Sequence, residues 1–411
     1  MIILSRRVLP VTKPPIDNGG VVVSGSKIAA VGSAKSLTRM YPRDKVLDLG
    51  DRLLMPGLVN LHTHVELSYL EGQLAEHEEF FGWIHDLIET RRRLNGKGMA
   101  RYAKVALSEI TSTGTTCIAD ISTTDAAIPH IIKSGLRASV FLEVIGLDPD
   151  AADSTIERLD TRFKELSSVV PGRIRLGVSP HAPYSVSDNL FNILKAFVST
   201  KGLDISIHLL ETADELSHFK DMPSGMDDYF KRYGWDLYPR DRSGSPLRLL
   251  KKFGLDRRAL VVHAVHVTKG DILSLHKSGA SVATCPRSNH YLKVGKAPVE
   301  ELIAAGVNVG IGTDSLASNI DLDLWEEMRF AYLVHKLTAR QVIEMATVNG
   351  ARALGLEGVI GGIEPGMEAD LIAVDGPAAR HRDPYTALIR ETRRGDIAFS
   401  MVQGKVIHSS Y

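Results

Sequence analysis

Two histidines two positions apart, His62 and His64, follow the apolar run Leu58–Leu61. Side chains alternate along a strand, so the two imidazoles project to one face. A third histidine, His208, ends the run Asp-Ile-Ser-Ile-His, in which Ile205 and Ile207 take one face and Ser206 and His208 the other. Asp314 ends the run Val-Asn-Val-Gly-Ile-Gly-Thr. Three imidazoles and one carboxylate suit a single Zn²⁺ or Fe²⁺ better than Mg²⁺ or Ca²⁺, which prefer all-oxygen shells. A lone His-x-His arises by chance, a lone buried histidine is usually a hydrogen-bonded core residue, and Gly-Thr-Asp alone is commonly a turn. Buried together, these groups would cost a great deal of free energy unless something held them. One metal ion bound by His62, His64, His208 and Asp314 accounts for all of them.

That ligand set needs elements that bring distant positions to one point. The middle of the chain alternates strand and helix. Eight strands are expected: Leu58–His64, Thr115–Asp120, Ala138–Val144, Ile174–Val178, Asp204–Leu209, Leu260–Ala264, Ala280–Thr284 and Val307–Gly312. Helical patterns such as Ser-Asp-Asn-Leu-Phe-Asn-Ile-Leu-Lys separate them. Eightfold alternation predicts an α/β fold, a (β/α)8 TIM barrel, whose chemistry sits at the C-terminal strand ends. Six of the eight expected strands end in groups that can ligate or titrate. A doubly wound open sheet is the alternative, weakened because no Gly-rich phosphate turn follows the first strand. The first and last 50 or so residues hold short period-2 runs bounded by glycine, Val-Val-Val-Ser-Gly early and Ala-Asp-Leu-Ile-Ala-Val-Asp-Gly late. The expected organisation is a small composite β-sandwich from 1–54 and 356–411, beside a catalytic barrel over 55–355.

Composition excludes several classes. The 411 residues are 44% hydrophobic and 24% charged, an ordinary globular balance. Lys plus Arg and Asp plus Glu number 49 each, so bulk charge favours neither nucleic acid nor an anionic membrane. The basic runs Arg91–Arg93 and Arg393–Arg394 read as solvated faces. Cys117 and Cys285 sit in apolar runs, which argues against a disulfide and fits a reducing, cytoplasmic compartment. The start, Met-Ile-Ile-Leu-Ser-Arg-Arg, is too short in apolar residues for a signal peptide, and no run approaches a membrane span. Nucleic-acid deamination is disfavoured, because Cys285 has no Cys-x-x-Cys partner. Nucleophilic serine catalysis is disfavoured too, since no serine stands in a Gly-x-Ser-x-Gly elbow.

From PGLVNLHTH through HLLET, HAVH, CPRSN and GTDSLASN to GGIEPGMEADLIAVD, nearly the whole chain resembles the amidohydrolase superfamily. HxxE, HxxH and CPxSN after the fifth, sixth and seventh strands are similar to its mononuclear-metal deaminases, the adenosine-type, guanine and triazine branch. The fourth strand ends in SPHAPYS without a lysine, so a bridged two-metal site is not expected. HTHVELSYLEG, FFGWI and CPRSNHYL look like the aminodeoxyfutalosine deaminases of menaquinone biosynthesis, with Val65 where that pattern has leucine. Methylthioadenosine/S-adenosylhomocysteine deaminases, adenosine deaminases and chlorohydrolases share much of the pattern. Some barrel relatives serve as metal-free structural proteins, but all four ligands are present here.

The resemblance implies roles. A metal-activated water attacks an adenine-type nucleoside, and Asp314 takes its proton while also serving as a ligand. Glu211, three residues past His208, shuttles the proton to the ring nitrogen and to the departing ammonia. Its alternative is an ordinary carboxylate at a helix start. His263 hydrogen-bonds the water; His266 could do so instead, and otherwise supports the site. Substrate contacts are expected from Glu66, His181, Trp83 and Arg137, although Trp83 could simply pack and Arg137 could cap a surface helix. Ser288 and Asn289 shape their loop. The segment from Glu76 to Leu94 is expected to form a lid or a contact in a homodimer. The partner is a small-molecule nucleoside.

Overall fold

The computed structural model describes residues 1–238, 244–252, 254 and 259–410. The chain opens with five short strands: β1 (Ile2–Val8), β2 (Ile16–Ser24), β3 (Lys27–Ser33), β4 (Val46–Asp48) and β5 (Leu53–Pro56). Eight follow in the middle: β6 (Leu58–Thr63), β7 (Thr115–Ser122), β8 (Arg137–Val144), β9 (Ile174–Pro180), β10 (Ser206–Leu209), β11 (Leu260–His263), β12 (Ser281–Thr284) and β13 (Asn308–Ile311). Three close the chain: β14 (Leu371–Val374), β15 (Ile397–Val402) and β16 (Lys405–Ser409). All eight expected central strands form, each within a few residues of its expected ends.

The central strands are parallel and pair in chain order, β6-β7-β8-β9 and β10-β11-β12-β13. Isolated parallel bridges, Val178 with Ile205 and Thr63 with Asp314, link the two groups on both sides. The amides of Thr313 and Asp314 both donate to the His62 carbonyl, at 3.1 and 2.9 Å. Every residue of β6, β7, β10, β11 and β12 is buried, as parallel strands covered on both faces require.

Both ends of the chain share one eight-stranded sheet, in the order β16-β15-β14-β5-β1-β2-β3 with β4 beside β1. The seam between the ends is β5 against β14, with Met55 opposite Ile372 and Leu54 opposite Ala373. Strand alternation gives this sheet two jobs. Leu54, Leu371 and Ala373 join Ile3, Val8, Val21, Phe399 and Met401 in the sheet's own core. Their neighbours Leu53, Met55, Ile372 and Val374 pack into the large core shared with the central strands and helices. Gly57 marks the passage between the two sheets. A Cβ there would lie 2.0 Å from Thr116 Oγ1, so only glycine allows the chain to turn so close to β7.

The segment after the first central strand is largely helical, Phe80–Leu94, with Phe80, Phe81, Trp83 and Leu87 buried. Cys117 and Cys285 are both buried and free. Among the described residues no helix is long and apolar enough to cross a membrane.

Candidate active site at the strand ends

His62 lies near the end of β6 and His64 just beyond it. Their Nε2 atoms are 3.1 Å apart, and His64 Nε2 is 3.3 Å from His208 Nε2 at the end of β10. Asp314 Oδ1 lies 3.5 Å from His62 Nε2 and 3.8 Å from His64 Nε2. The four expected ligands therefore meet, although three come from strands far apart in the chain. Gly312 permits this approach, since a Cβ there would fall 2.6 Å from His62 Cβ.

The donors suit a cation. Burial and the neighbouring imidazoles hold His64 and His208 well below the usual histidine range, so they are neutral and cannot all donate to one another. The Nδ1 atom of His208 faces the His181 carbonyl at 2.9 Å, which leaves Nε2 as a lone pair aimed into the cluster. Burial alone would raise the Asp314 carboxyl, but hydrogen bonding to His62 and the close approach of the His62, His64 and His263 imidazoles hold it well below the carboxylate range. Facing lone pairs at these separations repel unless a positive ion lies among them. Ligands 2.0–2.1 Å from a tetrahedral centre would be about 3.3 Å apart, against separations of 3.1–3.8 Å here. His62, His64, His208 and Asp314 thus fit a divalent metal.

The proton-handling groups border the same point. Glu211 is buried, and burial first, then the charges of Asp314 and Glu215, push its carboxyl well above the usual range. Its Oε1 lies 3.5 Å from His263 Nε2. The other ring nitrogen of His263 meets Asn289 Oδ1 at 2.9 Å. Burial brings His263 down to about 4, so its imidazole is neutral. His266 stands apart and donates through Nε2 to the Val294 carbonyl at 2.7 Å. Of the two histidines in HAVH, the one beside Glu211 is His263.

The backbone at these strand ends is bent into the left-handed region. Leu210, His263, Ala264 and Asp314 all have positive φ, between 49° and 71°. Such conformations are costly for residues with a Cβ and persist only where the surroundings impose them. Of the four, His263 and Asp314 face the cavity, while Leu210 and Ala264 pack in the core.

A cavity of about 140 Å³ opens above the cluster. His64, His208, Glu211, His263 and Asp314 form its floor. Phe80, Trp83, Ile84, Leu87 and Ile88, from the helix Phe80–Leu94, form one wall. Trp83 anchors that wall by donating through its indole to the Ala317 carbonyl at 3.2 Å. His181 lines the cavity, with its Nδ1 2.8 Å from Ser185 Oγ.

Two expected substrate contacts lie elsewhere. Glu66 turns into the protein: its carboxylate accepts from Ser122 Oγ (3.1 Å) and from the amides of Thr123 (3.1 Å) and Thr124 (2.8 Å). Arg137 is the first residue of β8, at the opposite strand end from the cluster, and its Nε pairs with Asp370 at 2.8 Å. It ties the central strands to the terminal sheet.

Other residues matter that sequence reasoning missed. Ser318 Oγ donates to Asp314 Oδ2 at 2.9 Å, beside Ser288 at 2.6 Å. Asp120, two residues before the end of β7, accepts from Thr63 Oγ1 and the Val65 amide, both at 2.8 Å, which fixes the chain on either side of His64. Burial raises its carboxyl to about 8. Its place at the expected strand end was the available signal for Asp120. Glu215 accepts the amide of Glu211 at 3.1 Å, and its spacing of four from Glu211 carried no such signal. Arg91, read as part of a solvated run, lines the cavity.

The amidohydrolase family profile matches residues 53–407. A protein of Moorella thermoacetica named 5-methylthioadenosine/S-adenosylhomocysteine deaminase is 35% identical over 414 residues, covering 97% of this chain and 92% of its own. An adenosine deaminase of Xanthomonas campestris, solved with bound zinc, superposes with a TM-score of 0.84 at 28% identity, covering 98% of this chain and 92% of its own. Helicobacter pylori aminofutalosine deaminase, in complex with methylthio-coformycin, shares the fold with a TM-score of 0.88 at 24% identity, covering 98% and 99%.

Proposed function

The chain belongs to the amidohydrolase family, and from that premise we propose that it deaminates an adenine-type nucleoside, 6-amino-6-deoxyfutalosine, to futalosine. It is a metal-dependent hydrolase acting on C–N bonds. In this reading the eight central strands close as one (β/α)8 barrel, over about residues 55–355. The sheet built from both ends is the small β-sandwich domain. The observation that carries the proposal is a buried Glu211 beside His263, facing the cavity on whose floor His64, His208 and Asp314 meet.

One divalent ion, Zn²⁺ or Fe²⁺, would be held by His62, His64, His208 and Asp314. When bound, it supplies Lewis acidity that lowers the pKa of a water from about 15.7 toward about 7. Asp314 accepts a proton from the attacking water. Glu211 gives its proton to the ring nitrogen beside the attacked carbon, which lets that carbon become tetrahedral. His263, its Nδ1–H held by Asn289 Oδ1, turns the Nε2 lone pair toward the attacking water and orients it. As the carbonyl forms, the remaining hydroxyl proton passes through Glu211 to the leaving amine, and the proton held by Asp314 then returns Glu211 to its acid form. One water and one amino group thus become one carbonyl oxygen and ammonia. Trp83 and His181 flank the base and sugar, and Ser288 holds Asp314 in place.

The relative of Moorella thermoacetica favours a second reading, with methylthioadenosine or S-adenosylhomocysteine as substrate. The metal-loaded protein should be given 6-amino-6-deoxyfutalosine, methylthioadenosine, S-adenosylhomocysteine and adenosine in parallel. Ammonia release and the ultraviolet shift from adenine to hypoxanthine report turnover. The proposal expects the highest kcat/KM with 6-amino-6-deoxyfutalosine. A higher value with methylthioadenosine would establish the second reading in its place.

A further inference from the structure

We infer that Arg91 receives a carboxylate on the 5′ substituent of the nucleoside and so selects adenine nucleosides that carry a carboxylate over those that lack one. The inference rests on the site being a nucleoside deaminase. Among the described residues lining the cavity, Arg91 is the one lysine or arginine, set at the end of an otherwise apolar wall.

Its placement follows from helix geometry. Trp83, Leu87 and Arg91 are spaced by four on the helix Phe80–Leu94, so they share a face. The Trp83 end of that face is fixed to the Ala317 carbonyl, three residues past Asp314. At 1.5 Å per residue, Arg91 lies about 12 Å farther along the helix. Trp83 and Leu87 line the space between. A nucleoside with its base at the cluster would direct its 5′ group along this wall toward Arg91.

The three consecutive arginines differ in what they meet. Arg92 pairs with Glu89 at 2.7 Å and sits over the Tyr233 ring at 5.7 Å. Arg93 is exposed. Arg91 is half-buried, its side chain meets the Tyr69 hydroxyl, and no described ion pair includes it. A guanidinium drawn partly out of water against apolar side chains is costly without an anion. Its planar fork matches a carboxylate in two-point contact. Glu143 faces the same cavity and accepts from Thr123 Oγ1 at 2.7 Å. As an acceptor it suits ribose hydroxyls, which leaves Arg91 for the anion.

The test uses two matched pairs: 6-amino-6-deoxyfutalosine against its methyl ester, and S-adenosylhomocysteine against methylthioadenosine. The wild type and the variants Arg91→Met and Arg91→Lys are compared with metal content and thermal midpoint verified. For whichever pair the wild type turns over, the acid should be preferred in kcat/KM. Arg91→Met should cut that preference by about 10- to 100-fold, and Arg91→Lys by less. A preference unchanged in Arg91→Met overturns the role of Arg91 and leaves the deaminase reading standing. A wild type that prefers the member lacking the carboxylate in the pair it turns over overturns it as well. A metal-loaded wild type that turns over none of the four compounds overturns both.

Discussion

The C-terminal ends of the central strands and the sheet made from the chain termini are built on opposite principles. The terminal sheet is held by apolar alternation, with Ile3, Val21, Leu54, Leu371, Phe399 and Met401 in its core. Around that sheet positive φ falls mostly on residues that take it readily, Asn18 in β2, Gly25, Gly50, and Gly404 beside Gln403, with Val11 in the connection between β1 and β2 as a strained exception. The strand ends instead bury His62, His208, Glu211, His263 and Asp314 together and bend Leu210, His263, Ala264 and Asp314 into a conformation that L-residues disfavour. One region gains stability from its sequence. The other gives stability up to hold charge where a reaction needs it.

Glu211→Gln should sharpen that contrast most. The amide keeps the shape but cannot carry a proton, so turnover should fall by about 10²- to 10⁴-fold. Metal content should stay intact. Because burial already disfavours the carboxylate, the thermal midpoint should hold or rise. Turnover within a few-fold of wild type would remove Glu211 from the proton path.

Phe399→Ala is the counterpart in the terminal sheet. The ring is fully buried, and its removal should cost about 3–5 kcal/mol of stability. Turnover per folded, metal-loaded molecule should change little. A large loss in kcat at a temperature where the variant is fully folded would show that the terminal sheet shapes the site, contrary to the division drawn above.

Ser288→Ala tests the boundary between the two principles, since it removes one of two hydroxyls donated to Asp314 Oδ2. Ser318 still holds that oxygen, so the fold should be unaffected. Metal affinity, measured by competition with a chelator, should fall about tenfold. Unchanged affinity would mean that Ser318 alone suffices.

The sequence disclosed these two regions unequally, for physical reasons. Strand periods of two placed His62 with His64 and His208 with Ser206, so the clustering of these side chains and the eight central strands were legible. Arg137 was misjudged because residue type outweighed position: it begins its strand, whereas the cluster gathers where strands end. Glu66 could not be placed, because its partners, the amides of Thr123 and Thr124, belong to a turn that only the folded chain brings near. His263 and His266 were indistinguishable because the positive φ at His263 and Ala264 breaks the alternation that orients side chains. Arg91 was missed since three arginines in a row look alike until one knows which helix face is covered. Strain and long-range contacts, the features that make the site work, leave no periodic trace.

Glu327 lies just behind the cluster and should give the smallest effect. It is buried, with Oε1 accepting from Asn319 Nδ2 at 2.6 Å and Oε2 from the Arg287 amide at 3.1 Å. Burial raises its carboxyl to about 8, from the ordinary 4.5, despite the nearby Arg287. A carboxyl raised on folding contributes its stability fully below the unfolded value, and that contribution is lost as pH rises through the folded one. The metal-free wild type should therefore lose stability between about pH 4.5 and 8, with Asp120 and Glu215 adding to the same window because both are also raised to about 8. Glu327→Gln cannot ionise. It forfeits one hydrogen bond at every pH, since its amide nitrogen must face a donor, but its share of the slope disappears. The fall in thermal midpoint from pH 5 to pH 9 should shrink by about 1–2 °C relative to wild type. An unaltered slope would mean that Glu327 is already ionised in the folded protein, held by Asn319 and Arg287, and that this side of the strand ends tolerates charge without a metal.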